Sequence, residues 1–537
     1  MAIPGSVIAA GWIPFVVVLV LTVLFSTFYV RYFMHKYDSE IAITVTAIIA
    51  LTLTLLTSAL VPVDIFLVSY MKDSDGTFKD WAQNLTVRND VEDSVLVTYY
   101  VFYGIVAFFL FLLLPFMYFF YEEKDENSTF KARCCASLKY CIVCVIIAVV
   151  FLLIGALVPG RSSPNANSTE WQKIDFLLHD MNQTRLEDAL SFVISIFTLV
   201  GMLLLIMYTA YGMSAMPMDL IKGQGSAKAE RLQTQKERQQ RQRQRQAIRQ
   251  KYSSRSTMSS RAQRVDDILA AEESLISRQE RHLQAAERSW LNKCWVLLRP
   301  FEIVIGVVCF VVALLVFLSL LLTNIDKAIH GMGYKSGYAL PKRHLPNPVD
   351  IALVYCQKAF PLDYILMVGI IAYFVLCSMS GIRNIGVWFL WIRMYKIRPR
   401  RTSPQGLLMF CMILMFIVLG INVILYELTP QYSSFGSQHY VTESLIDANV
   451  TTSDVKECTM ATPPEACTVT RMVYLLVTFF YDMWIFGAAY YYLTWLFLAV
   501  ILIGFIVAVV KRRRSAIRGE VDEDDFEESD DEELLRG

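Results

Sequence analysis

The chain has 537 residues, 55% of them hydrophobic and 18% charged, with a mean hydropathy of +0.44. That balance argues against two or three soluble domains and for a polytopic membrane protein. The formal net charge of +0 gives no reason to expect a nucleic-acid partner, and it hides a split between basic blocks and a strongly acidic C-terminal tail.

Apolar runs long enough to cross a bilayer recur along the chain. The first two lie at about 7–30 and 41–68, the third at 94–120 with Pro115 near its end, the fourth at 139–158 and the fifth at 189–212. A polar insertion fills 213–300. Four more runs follow at about 301–323, 363–382, 406–426 and 485–510, and residues 511–537 form the acidic tail. The spacing therefore predicts an all-α polytopic membrane protein with spans one to five in 1–212, spans six to nine in 301–510 and a helical insertion between them. The last apolar region, Met472 to Val510, is slightly short for two spans, and a second span would put Lys511-Arg512-Arg513-Arg514 on the wrong side.

Orientation follows from charge. The seventh span opens at Pro361 and Asp363 and ends in Arg383, Arg393, Lys396, Arg398, Arg400 and Arg401, the mark of a cytosolic flank. With the N-terminus lumenal and the C-terminus cytosolic, 36 of the 49 lysines and arginines lie inside. Four of five glycosylation sequons then face the lumen, at Asn84, Asn167, Asn182 and Asn449, while Asn127 faces the cytosol. Eleven cysteines are scattered. Only Cys458 and Cys467 stand together in a lumenal loop, where a disulfide is expected. Cys141 and Cys144 have zinc spacing, but they sit inside an apolar run without a second pair and are expected to pack.

The cytosolic insertion has two parts. Residues 231–264 are rich in Gln, Arg and Ser, with Arg238, Arg241, Arg243, Arg245 and Arg249 close together. They suit a solvated helix or linker, or contact with acidic membrane lipids. Residues 265–290 place Val265, Ile268, Leu269, Leu275, Ile276 and Leu283 at helical spacing. In the tail, Asp530 precedes Leu534-Leu535 by four residues, an acidic dileucine through which a clathrin adaptor sorts cargo.

No catalytic constellation is legible. The chain has no GxxxxGK[ST] and no HExxH, and its six histidines are dispersed, so neither an enzyme nor a bound cofactor or metal is expected. Two acids near span ends stand out, since a charge in hydrocarbon needs a partner or a reason. Asp64 follows Pro62 in VPVDIFLV and Asp363 follows Pro361 in FPLDYILM. Asp363 suits the first turn of its own helix. Asp64 lies near the C-terminal end of its span unless Pro62 breaks that helix and gives it a local start. Both are also candidates to line an outward-facing ligand or transport cavity.

Longer stretches carry a resemblance. TSALVPVDIFLVSYMK at 57–72, GTFKDWA at 76–82, YFFYEEKD at 118–125, NSTEW at 167–171, YTAYGMSAMPMDLIKG at 208–223, FPLDYIL at 360–366, GIRNIGVWFLWIRMYKIR at 381–398 and CTVTR at 467–471 resemble the limb-region membrane protein family. The resemblance implies a nine-span lysosomal protein that helps cobalamin leave the lysosome, working with a lysosomal ABC transporter. It also implies the alternative of an endocytic receptor or clathrin-adaptor-binding protein, like the family's lipocalin receptor or a factor in insulin receptor uptake, which would visit the endoplasmic reticulum, plasma membrane and coated vesicles. Ala229-Glu230-Arg231-Leu232 stands where the resemblance places a Tyr-x-x-apolar sorting signal, and the tyrosine is missing. A homodimer is compatible with so many spans, although no GxxxG face marks one.

Overall fold

The computed structural model describes the chain except residues 1–4, 36–39, 74, 125–128, 158–184, 224–226, 253–259, 289, 335–336, 339, 341–342, 360, 390–391, 448–449, 459–461, 463–465, 482–483 and 512–537. Among the described residues, nine helices are long and apolar enough to cross a membrane. They are α1 (Gly5–Phe33), α2 (Ile41–Tyr70), the pair α3 (Leu85–Phe108) and α4 (Leu114–Glu122), α5 (Phe130–Leu157), α6 (Arg185–Lys222), α9 (Trp290–His330), α11 (Leu362–Ile385), α12 (Pro404–Leu428) and α15 (Trp484–Val510). Helices α7 (Ala227–Tyr252) and α8 (Ser260–Arg288) make up the insertion. Short helices α10 (Pro348–Cys356), α13 (Pro430–Phe435) and α14 (Arg471–Tyr481) lie in loops.

The third span is continuous but not uniform. One π-helical turn, Phe109–Leu113, joins α3 to α4. Pro115 lies in the first turn of α4. It has no N–H to return to the preceding turn, and a local change of helical pitch accommodates that loss. Pro62 has no comparable effect: α2 runs from Ile41 to Tyr70 through it.

The chain divides into two compact units, residues 1–214 with 312–505 and residues 215–311 with 506–537. In the first, α12 is central: 83% of its most apolar window is buried, against 11% for α5. Small residues let neighbours approach. A Cβ on Gly212 of α6 would overlap the Cys377 carbonyl of α11, and one on Gly381 would overlap the Tyr208 carbonyl. Gly201 and Gly420 bring α6 and α12 together in the same way. Close backbone approach replaces the hydrophobic drive that is missing between helices in lipid. Between α6 and α11 the buried hydroxyls of Thr209 and Ser378 meet at 2.7 Å. Along α2, Thr46, Thr52, Thr54 and Thr57 donate to the carbonyls four residues earlier, so their polar groups are satisfied within the helix.

Two β-hairpins depart from the all-helical expectation. The basic flank after α11 folds as β1 (Val387–Phe389) and β2 (Ile392–Tyr395), paired antiparallel. Near α1, the Arg400 N–H donates to Tyr32 O at 3.0 Å and the Thr402 N–H to Phe33 O at 3.1 Å, which ties this flank to the end of α1. The loop between α13 and α14 carries β3 (His439–Asp447) and β4 (Val450–Glu457), also antiparallel.

Candidate functional site

The first unit gathers its polar chemistry at the end of the bundle where α2 finishes and α3, α11 and α14 begin. The buried carboxylates there include Asp64, Asp350 and Asp363. Each of these three meets the start of a helix, where backbone N–H groups lack intrahelical partners and the helix dipole favours negative charge.

Asp64 supports a helix other than its own. Its Oδ2 accepts from Met472 N at 2.8 Å, the second residue of α14. The helix does not break at Pro62 to give Asp64 a local start, and a helix start from 408 residues further along the chain supplies its partner. Arg471, the first residue of α14, pairs with Glu92 of α3. Burial lowers the affinity of the Arg471 guanidinium for its proton.

Asp350 lies in the first turn of α10. It accepts from Gln431 N at 3.2 Å and Tyr432 N at 3.0 Å, so it caps α13 from across the loop. Burial holds its carboxyl above the usual range, opposed by the nearby positive charge of Arg343. Asp363 is in the first turn of α11, and its Oδ2 accepts from Tyr432 Oη at 3.0 Å. Burial raises the Tyr432 phenol well above its ordinary value, and the Asp363 charge adds to the effect.

Just beyond α2, Lys72 Nζ donates to His439 O at 2.8 Å and also to Ala466 O. Burial, followed by the charge of Arg88, pulls its ammonium down to about 8. Cys458 and Cys467 are bonded, with Cα atoms 6.1 Å apart, and pack with Phe435 beside Tyr440 and Val469. Gln438 closes the loop: its Nε2 donates to Phe435 O and Thr468 O, and its Oε1 accepts from Thr468 N. Asp350, Lys72 and Gln438 were not singled out by sequence. An acid three residues after Asn347 and two after Pro348, at a helix start, was the available signal for Asp350.

Asn84 is exposed and caps α3, accepting from Thr86 N at 3.1 Å and from the Thr86 hydroxyl at 2.7 Å. Asn167, Asn182, Asn449, Asp530, Leu534 and Leu535 lie outside the described residues.

Beside this end, α1, α2 and α11 border a cavity of about 680 Å³. Leu21, Phe25, Ala59, Phe66, Val368 and Val375 are among its walls. Its wall includes Tyr364 as well as Thr22 and Ser58, and the hydroxyls of Thr22 and Ser58 donate to their own helices, at Leu19 O and Leu55 O. Its surface is therefore apolar and offers no spare donor from those hydroxyls.

The second unit contains an antiparallel helical hairpin of α7 and α8. Acids on α8 recur every seven residues, at Asp266, Glu273 and Glu280. They meet a seven-residue repeat on α7. Glu280 accepts from Gln235 and Arg238, Glu273 from Gln242 and Arg245, and Asp266 from Arg245 and Arg249. Arg241 pairs with Glu272. Four of the five clustered arginines thus have partners within the chain, which reduces the charge available to a lipid headgroup. Hydrogen bonds from Gln242 and Arg245 hold the Glu273 carboxyl below its ordinary range, and Gln235 and Arg238 do the same for Glu280. In the same unit Lys222 Nζ donates to the carbonyls of Ala508, Val509 and Lys511 and caps the end of α15.

Nine helices among the described residues, each long and apolar enough to cross a membrane, define a multi-pass α-helical membrane protein. The chain belongs to the LMBR1-like membrane protein family, whose model matches residues 11–295. It is 48% identical to the "Probable lysosomal cobalamin transporter" of Nematostella vectensis over 545 residues, covering 99% of each chain. It is 46% identical to the "Lysosomal cobalamin transport escort protein LMBD1" of Gallus gallus, again over 99% of each, and 45% identical to the Bos taurus protein of the same name, over 98% and 97%. No solved structure matches.

Proposed function

We propose that this chain is a lysosomal membrane protein that serves the export of cobalamin to the cytosol as the escort of an ABC transporter. The carrying observation is its 46% identity, over 99% of both chains, with a relative named as a lysosomal cobalamin transport escort protein. The geometry favours escort over direct passage. Cobalamin is large and rich in amides, and burying amides without hydrogen-bond partners costs several kcal/mol each. The cavity beside α2 is walled mostly by apolar side chains, and the hydroxyls of Thr22 and Ser58 there are already engaged. Asp64 and Asp363, the acids that could serve a carrier, are tied to Met472 and Tyr432.

On this reading the disulfide-bearing end faces the lumen and the charged hairpin the cytosol. The partner transporter supplies ATP-driven movement, the tail motif of Asp530, Leu534 and Leu535 engages a clathrin adaptor, and the chain itself does no enzymatic chemistry. The test is lysosomal cobalamin content in cells that lack their own relative, with and without this chain, together with co-purification of the ABC transporter in mild detergent. Restored efflux and co-purification are expected. Retained cobalamin, with the chain correctly in lysosomes, overturns the export role, and restored efflux without association overturns the escort role.

A further inference from the structure

One side-chain cluster has no part in the helix-start contacts described above. At the C-terminal end of α9, Asp326 and His330 are four residues apart and share a helix face. The loop after α9 returns His344 to the same place. The His330 and His344 rings stack with centroids 4.0 Å apart, and both direct Nδ1 toward one oxygen, Asp326 Oδ1. The three ligand atoms lie within 4.8 Å of one another.

We propose that Asp326, His330 and His344 bind a divalent transition-metal ion of the zinc class. The donor set, two imidazoles and a carboxylate, is one that such ions select, whereas magnesium and calcium favour oxygen alone. The spacing fits. Bonds of about 2.0–2.1 Å in tetrahedral array separate ligand atoms by roughly 3.3 Å. Asp326 Oδ1 is 2.9 Å from His330 Nδ1 and 3.9 Å from His344 Nδ1, on either side of that value. The longer distance exceeds a hydrogen bond, so the His344 ring points at the carboxylate without bonding to it.

The surroundings hold the ligands in place. Asp326 is buried, and its second oxygen accepts from His344 N at 3.0 Å and Leu345 N at 3.4 Å, the outer contacts that orient a ligating carboxylate. Asn347 pins the same loop, donating to Leu428 O at 2.6 Å and to Thr323 Oγ1 at 3.2 Å. The adjacent cation, Lys327, is neutralised by Glu427 at 2.6 Å, so it does not compete for Asp326. The two imidazoles are 37% and 48% exposed, which leaves an entry path and an open fourth position for water.

The test uses the full chain in detergent, stripped with a chelator and titrated with Zn²⁺ against a chromogenic competitor. One ion per chain is expected, with X-ray absorption showing nitrogen and oxygen neighbours at about 2.0–2.1 Å. His330→Ala or His344→Ala should weaken binding at least tenfold, the double variant should abolish it, and His439→Ala should leave it unchanged. Asp326→Asn threatens folding because the side chain is buried, so the exposed imidazoles carry the test. Absence of stoichiometric Zn²⁺ in the wild-type chain, or equal affinity in the His330→Ala/His344→Ala variant, overturns the assignment.

Discussion

The bundle end around Asp64 and the α7–α8 hairpin both use acids to hold helices, but in opposite ways. At the bundle end each carboxylate is buried and accepts from a backbone N–H or a phenol. In the hairpin the acids are only partly shielded at Glu273 and Glu280 and buried at Asp266, and they accept from Gln and Arg side chains in a seven-residue register. Burial raises the Asp350 carboxyl, whereas hydrogen bonds lower those of Glu273 and Glu280. The contrast teaches that an acid's environment, not its presence, sets how a region answers pH. Folded Asp350 keeps a proton that the unfolded chain has already lost, so its contribution declines as pH rises above the ordinary carboxylate range and improves on acidification. The hairpin acids give up their protons earlier in the folded state, so their contribution is present above the ordinary range and is lost as pH falls through it.

The comparison can be broken in five places. Asp64→Ala orphans the buried Met472 N–H, and we expect a loss of about 3 kcal/mol, read as a lower midpoint of thermal unfolding in detergent, with Asp64→Asn keeping much of it. Cys458→Ser opens a loop whose cysteines are nine residues apart and should cost about 2.5 kcal/mol, matched by mild reduction of the wild type. Gly381→Ala forces α11 away from the Tyr208 carbonyl, at about 2 kcal/mol by the same scan. Asp350→Asn should flatten the gain in stability that the wild type shows when taken from neutral to mildly acid pH; an unchanged pH profile would remove the role assigned to this acid. Arg238→Ala should cost only about 0.5 kcal/mol, an effect that added salt reduces, because its pair with Glu280 is partly open to water.

Legibility followed the same division. Nine spans could be read because each is a long run dominated by apolar residues, and the runs at 406–426 and 363–382 lie within α12 and α11. The β-hairpins could not, because Val387–Phe389 is three residues long and sits inside a basic flank that reads as a membrane edge. Asp64 was visible as an anomaly, but its partner Met472 lies far along the chain, and sequence has no local cue for such a contact. The hairpin carried a cue that composition obscured. The pairs Gln235/Arg238 and Gln242/Arg245 repeat after seven residues, as do Glu273 and Glu280, a register that apolar periodicity alone passes over. His344 joins Asp326 and His330 only through the return of the loop after α9.

The central claim is that Asp64 and Asp363 hold the bundle together while cargo moves through a partner. The most direct measurement is cobalamin efflux from lysosomes carrying Asp64→Asn/Asp363→Asn, in cells where the wild-type chain restores export. Asparagine can still accept from Met472 N and the Tyr432 hydroxyl but carries no charge. The account predicts that the variant reaches lysosomes, co-purifies with the transporter and restores efflux. A folded, correctly placed and partner-bound variant that leaves cobalamin trapped would contradict it.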